Sequence, residues 1–129
     1  MKFIQLIILS LLFVVGNSFA EDRIETSQAQ LKSLQAAPKA QTFLLLDVRS
    51  VEEYADGHIP GAVNMSHSTV ADNLHKLDKF KNELVIVYCR SGRRAGIAEN
   101  ILKKAGFTNV RHLSGDFNAW QANNQEIAK

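Results

Sequence analysis

Apolar runs alternate with polar, helix-like segments along this chain from residue 21 onward. Residues 43–46 and 84–88 are continuously apolar, which is typical of parallel strands buried on both faces. Shorter apolar stretches at residues 62–65 and 110–113 predict two more strands. Helix-like patterns precede, separate and follow these strands, near residues 27–34, 50–54, 68–80 and 98–105 and from residue 114 onward. The alternation predicts an α/β domain with a mostly parallel central sheet flanked by helices.

Residues 84–106 form the most informative stretch, in which a buried strand leads into an amphipathic helix through a short basic loop. The apolar face of that helix recurs at i, i+3, i+4 and i+7, at Ala98, Ile101, Leu102 and Ala105. Gly106 is a typical residue to end it. The only cysteine of the chain, Cys89, lies between the strand and the loop.

Polar loops follow three of the predicted strands, at residues 47–49, 89–94 and 114–116. In parallel α/β sheets, ligands bind beyond the carboxyl ends of the strands. We therefore expect these three loops to meet at one edge of the sheet and to form the functional site there.

The surroundings of Cys89 favour a reactive thiolate. A short connection from strand to helix directs free backbone N–H groups, and the positive end of the helix dipole, toward the turn. Arg90, Arg93 and Arg94 add full positive charges within five residues of the sulfur. Each effect stabilises the thiolate over the thiol and would also hold an anionic substrate. The alternative is a buried structural cysteine with solvated arginines, but Cys89 ends the strand and meets a cationic loop.

Composition narrows the function classes. With 129 residues the chain is long enough for one domain, and a net charge of +2 is too weak to indicate nucleic-acid binding. His67, His75 and His112 show no metal-ligand spacing, so no metal and no cofactor are predicted. A single cysteine also cannot form an internal disulfide.

Three further features have a structural interpretation. Asp47 and Arg49 are either a structural ion pair or substrate contacts. His58 lies in a Pro-Gly turn and is expected to brace it. Phe117 and Trp120 are expected in the core, with a pocket wall as the alternative.

Residues 1–20 have the features of a cleavable signal peptide. Lys2 precedes an almost uninterrupted apolar run over residues 3–15, and small residues at positions 18 and 20 favour cleavage after Ala20. We predict a folded domain over residues 21–129 that is periplasmic or secreted and not membrane-bound after cleavage. A lone thiol in such an oxidising compartment is either paired with another chain or kept for its reactivity.

Four motifs in order cover nearly all of residues 21–129: LDVR at 46–49, GHIPGA at 57–62, YCRSGRRA at 88–95 and GFxxVxxLxG at 106–115. Together they resemble a single-domain rhodanese, a sulfurtransferase with a three-layer α/β fold. The last motif commonly ends in two glycines in that family, whereas Asp116 takes the second place here.

The resemblance implies that Cys89 attacks the sulfane sulfur of thiosulfate, expels sulfite and carries the sulfur as a persulfide to a thiophilic acceptor. It implies substrate binding by residues 90–94 (Arg90, Ser91, Gly92, Arg93 and Arg94). It also implies that Asp47 and Arg49 support the loop by hydrogen bonds. The expected partners are a small anionic sulfur donor, a thiophilic acceptor and, as a further candidate, an acceptor protein. A monomer that binds no nucleic acid is expected.

Two other functions remain open. One is a persulfide carrier or binding module with little turnover. The other is a phosphatase or arsenate reductase on the same fold, since a cysteine and arginine loop also suits phosphoryl transfer. Protein phosphatases use C-x5-R, which requires arginine at position 95, where this chain has Ala95. The loop from Cys89 to Arg94 is one residue short for that motif.

Overall fold

The computed structural model describes residues 23–37 and 39–129, so the predicted signal segment lies outside the described residues. Its strands are β1 (Glu25–Thr26), β2 (Phe43–Asp47), β3 (Val63–Asn64), β4 (Leu84–Tyr88) and β5 (Asn109–Leu113). Its α-helices are α1 (Gln28–Ala36), α2 (Val51–Asp56), α3 (Arg93–Lys104) and α4 (Asp116–Ala122). In this part of the chain no helix has the length and apolar character needed to cross a membrane.

The strands form one parallel sheet in the order β1-β5-β4-β2-β3. This arrangement confirms the predicted α/β fold with a parallel sheet flanked by helices. Asp47 pairs with Tyr88 across β2 and β4, and Val87 pairs with His112 across β4 and β5. The carboxyl ends of the three strands therefore lie side by side, as the loop positions predicted.

Both faces of the sheet are covered, which explains the unbroken apolar runs of β2 and β4. On one face Val85 and Val87 pack with Leu102 of α3. On the other, Tyr88 packs with Phe117 and Trp120 of α4. Phe117 and Trp120 are 5% and 1% exposed, which confirms that both belong to the core.

Two elements differ from the sequence prediction. Strand β1 was not predicted, because a two-residue strand of one charged and one polar residue has no apolar run; its backbone pairing with β5 defines it. Residues 67–80 are helical as expected, but they form two 3₁₀ helices, His67–Thr69 and Ala71–Phe80, with a non-helical Asn73 between turns. This kink accounts for the irregular apolar spacing of the segment.

The caps of the short helices follow the sequence closely. Ser50 and Glu53 form the predicted capping box at the start of α2, and Gly57 ends that helix. Ser27 caps α1, as predicted, in a capping box with Gln30.

Candidate active site around Cys89

Cys89 follows the last residue of β4, and its sulfur lies at the start of α3. The backbone N–H of Gly92 donates a hydrogen bond to Cys89 Sγ at 3.0 Å. Gly92 has φ 115°, a left-handed conformation that favours glycine, and a Cβ there would lie 3.1 Å from Asp116 Oδ2. The tight turn that presents the sulfur to the helix N-terminus therefore depends on glycine at position 92.

The first turn of α3 contains backbone N–H groups that have no backbone acceptor among the described residues. Its first backbone hydrogen bond runs from the N–H of Gly96 to the carbonyl of Gly92. Within residues 23–37 and 39–129, the amides of Arg93, Arg94 and Ala95 make no hydrogen bond to another backbone group. Unpaired amides at a helix N-terminus are the usual means of binding an anion.

The three loop arginines have different environments. Arg94 makes two hydrogen bonds to the carboxylate of Glu53 in α2, with Nη2 at 3.0 Å from Oε2. These bonds, together with smaller effects of Ser50, lower the pKa of Glu53 to about 2 despite its partial burial. The charge of Arg94 is thus compensated, whereas Arg90 and Arg93 are exposed to solvent.

A cleft of about 180 Å³ lies beside the loop between α2 and α4. It is lined by Arg49, Glu53, Asp56, Gly57, Arg90, Phe117 and Gln121. Phe117 therefore belongs to the core and also forms part of the cleft wall. A larger groove of about 340 Å³, with Leu84 and Asn109 among its residues, lies where β4 and β5 begin and is remote from Cys89.

Asp47 and Arg49 form a buried ion pair, with Arg49 Nη2 at 2.7 Å from Asp47 Oδ2. The same Nη2 donates to the carbonyl of Gly57, and the guanidinium lies 4.1 Å from the centre of the Phe117 ring. Within the described chain, its side-chain hydrogen bonds reach Asp47 and the end of α2 and do not reach the Cys89 loop. The pair supports the cleft wall, and the role in orienting the loop stays a prediction.

His58 braces its turn, as predicted. Its ring stacks on Tyr54 with the centroids 3.7 Å apart, and Nδ1 lies 2.9 Å from the carbonyl oxygen of Tyr54. Among the described residues, no group of three or more His, Cys, Asp and Glu side chains is arranged to hold a metal ion.

Sequence reasoning missed the contacts that two residues, His112 and Asp116, make beside the loop. Asp116 Oδ1 accepts the backbone N–H of Cys89 at 3.0 Å and lies 2.9 Å from His112 Nε2. From the sequence, His112 is weighed only as a metal ligand. Asp116 is placed in a loop at the expected site and noted as a departure from a glycine, without a predicted contact or role. A signal for this contact was available in the sequence. His112 and Asp116 are four residues apart at the end of a predicted strand, beside a predicted functional loop.

A third missed contact comes from Arg23, which precedes β1. Its guanidinium lies 2.7 Å from the buried carboxylate of Glu99 in α3, and it donates to the carbonyl of Gly92 at 3.3 Å. No pattern in the sequence connects a residue at position 23 with this loop.

Residues 27–123 match the family described as rhodanese-like domain. The chain is 37% identical over 70 residues to the thiosulfate sulfurtransferase PspE of Escherichia coli, covering 54% of this chain and 67% of that protein. It is 31% identical over 106 residues to the putative sulfur carrier protein YrkF of Bacillus subtilis, covering 81% of this chain and 56% of that protein. Among solved structures, the rhodanese-like domain of the Anabaena sp. Alr3790 protein superimposes with a TM-score of 0.70 at 31% identity, over 81% of this chain and 77% of that one.

Proposed function

Because the chain belongs to the rhodanese-like domain family, we propose that it is a thiosulfate sulfurtransferase-type enzyme that carries sulfane sulfur on Cys89. Relatives named as thiosulfate sulfurtransferase and as putative sulfur carrier support sulfur transfer at the level of the family. The observation that carries the proposal is the Gly92 N–H that donates to Cys89 Sγ at 3.0 Å, beside the unpaired amides of the first turn of α3.

The reaction has two half-reactions. The thiolate of Cys89 attacks the outer sulfur of thiosulfate, a new S–S bond forms, and the S–S bond of thiosulfate breaks. Sulfite leaves with the bonding electron pair, and Cys89 becomes a persulfide. Cyanide or a thiolate then attacks the terminal sulfur, takes it as thiocyanate or a new persulfide, and releases the Cys89 thiolate. No external oxidant or reductant is required.

Residues 90–94 supply the anion-binding groups for this reaction. The N–H of Gly92 donates to the sulfur, and the amides of Arg93 and Arg94, which have no backbone acceptor in the described part of the chain, are the next donors available to the negative charge of the persulfide or the donor. Arg90 and Arg93, exposed and close to Cys89 in the chain, attract the dianionic donor, and Ser91 lies in the same loop. Arg94 contributes less to this attraction because Glu53 compensates its charge.

A persulfide carrier with little turnover is the second candidate, and the similarity to a putative sulfur carrier protein favours it. Both candidates load Cys89, but only the enzyme releases sulfur to cyanide repeatedly. The phosphatase alternative lacks the arginine of C-x5-R, since Ala95 lies at that position and is buried.

Intact-mass analysis after exposure to thiosulfate tests the proposal. We expect wild-type protein to gain the mass of one sulfur atom and Cys89→Ser to gain nothing, since a hydroxyl is far less ionised than a thiol. Thiocyanate formation with excess cyanide then separates the enzyme from the carrier. Absence of the mass gain in folded wild-type protein, or phosphatase turnover without it, contradicts the assignment.

The proposal extends to the setting of the reaction. We infer an exported protein, cleaved after Ala20, that acts as a monomer in the periplasm or outside the cell and passes sulfur to a small thiophile or to an acceptor protein. N-terminal sequencing of protein recovered from a cell fraction tests the cleavage, and sedimentation tests the monomer.

A further inference from the structure

A buried carboxylate–imidazole pair lies against the backbone of Cys89. His112 on β5 and Asp116 at the start of α4 are 5% and 1% exposed. Both carboxylate oxygens of Asp116 lie 2.9 Å from His112 Nε2, and Oδ1 also accepts the backbone N–H of Cys89. The reaction proposed above makes no use of either side chain.

The pair also contacts the residue that holds the sulfur. A Cβ on Gly92 would lie 3.1 Å from Asp116 Oδ2 and 3.6 Å from His112 Cε1, so the backbone of Gly92 packs against both side chains. The N–H of the same Gly92 donates to Cys89 Sγ. The Asp116 carboxylate therefore contacts the backbone of Cys89 and also packs against Gly92, whose N–H donates to the Cys89 sulfur.

The backbone of Asp116 is held in an unfavourable conformation. Its φ is 54°, a left-handed value that is uncommon for residues other than glycine. Such a conformation persists where the surroundings determine it, and here the carboxylate is fixed by Cys89 and His112.

We propose that Asp116 and His112 form a positioning pair for Cys89, in which Asp116 fixes the cysteine backbone and the proton on His112 sets the net charge beside the sulfur. The inference rests on the proposed role of Cys89 as the sulfur-carrying nucleophile. When His112 is protonated, it neutralises Asp116. When His112 is neutral, an uncompensated carboxylate contacts the backbone of Cys89 and Gly92, the two residues that carry and hold the sulfur.

Several charged groups face His112 from the surrounding elements. Asp116 lies on α4, Glu25 of β1 has Oε1 at 3.6 Å from His112 Nδ1, and Glu99 of α3 and Arg23 act over a longer distance. Burial alone would lower the pKa of His112, but the hydrogen bond to Asp116 and the negative charges of Asp116 and Glu99 raise it above its ordinary value. The pair is therefore neutral at low pH and becomes negative as the pH rises past that raised value.

The charge beside the sulfur is measured by alkylating Cys89 with iodoacetate, which is anionic, and with iodoacetamide, which is neutral. The thiolate attacks both reagents, and the reagents are similar in size. The ratio of their rates is therefore independent of the fraction of Cys89 that is ionised and of the accessibility of the sulfur. In wild-type protein the iodoacetate-to-iodoacetamide ratio should fall by about threefold to tenfold as His112 loses its proton, the range expected for one charge at a partly buried site.

Variants test whether this fall of the ratio with pH, called the step below, comes from the His112–Asp116 pair. His112→Gln retains a hydrogen-bond donor and should remove the step. Asp116→Asn retains the acceptor for the Cys89 N–H and should move the step to lower pH, because the charge that raises the pKa of His112 is lost. The exposed His75, replaced by Gln, is the matched control and should leave the step unchanged.

Thermal unfolding shows which variants fold, and either variant alone suffices for the test. The inference is overturned if the iodoacetate-to-iodoacetamide ratio of the wild type does not change with pH. It is also overturned if the step is unchanged in folded His112→Gln or Asp116→Asn protein. Alkylation does not use thiosulfate, so the two proposals can fail separately. A step without sulfur loading contradicts the sulfurtransferase proposal, whereas sulfur loading with a flat ratio contradicts the positioning pair.

Discussion

Replacing Glu53 by Gln removes the carboxylate that pairs with Arg94. Glutamine has nearly the same shape, and its side-chain oxygen can still complete the capping box with Ser50. The remaining oxygen can accept from Ser50 and from Arg94 Nη1, whereas the –NH2 that replaces Oε2 cannot accept from Arg94 Nη2, so the negative charge and one guanidinium hydrogen bond are lost together. The substitution therefore tests the ion pair and leaves the helix cap in place.

The size of the effect follows from the pKa of Glu53. Its fall from 4.5 to about 2 on folding corresponds to about 3 kcal/mol by linkage. The carboxylate is 33% exposed, so solvent screening reduces the expected contribution to about 1 kcal/mol. Because the folded-state pKa is depressed, this stabilisation is complete above pH 4.5 and is lost as the pH falls through about 2.

Urea unfolding of wild-type and Glu53→Gln protein between pH 3 and pH 7 measures this contribution. At pH 7 we expect the variant to be less stable by about 1 kcal/mol, and near pH 3 the difference should shrink to roughly half or less. Glu52→Gln, at an exposed neighbour in the same helical turn, controls for the interaction with the helix dipole. A difference that is equal at both pH values, or absent at pH 7, would refute the reasoning.

Two further predictions concern the loop and the glycine before α4. Arg93→Ala should raise the KM for thiosulfate by about threefold to tenfold, and Arg94→Ala should raise it less, because Glu53 already compensates the charge of Arg94. Steady-state kinetics measure both KM values. An equal or larger effect of Arg94→Ala contradicts the role given to Arg93 in attracting the donor. Gly115→Ala should lower the stability by about 2–4 kcal/mol, since its Cβ would lie 2.4 Å from that of Ala119 at a φ of 77°. Gly61→Ala, at φ 82° in open space, isolates the backbone cost in the same urea assay, and an equal loss in both variants would mean that the contact with Ala119 is relieved.

Local patterns were sufficient to predict the layered fold. Strands β2 and β4 are apolar on both faces because both faces of the sheet are covered, and that property is visible residue by residue. The capping box of Ser50 and Glu53 is likewise a contact within three residues. The position of Cys89 at a strand end, before a basic loop and a helix, also needed no knowledge of distant contacts.

The partners of the site residues were decided by the tertiary structure alone. Glu53 and Arg94 are 41 residues apart, and Cys89 and Asp116 are 27 residues apart. Parallel strands are joined by crossover connections, so residues that meet at their carboxyl ends are distant in sequence and share no periodicity. The sequence therefore determined the chemistry of the Cys89 loop, whereas the folded chain determined which charges compensate it: Glu53 on Arg94, and the His112–Asp116 pair behind the sulfur.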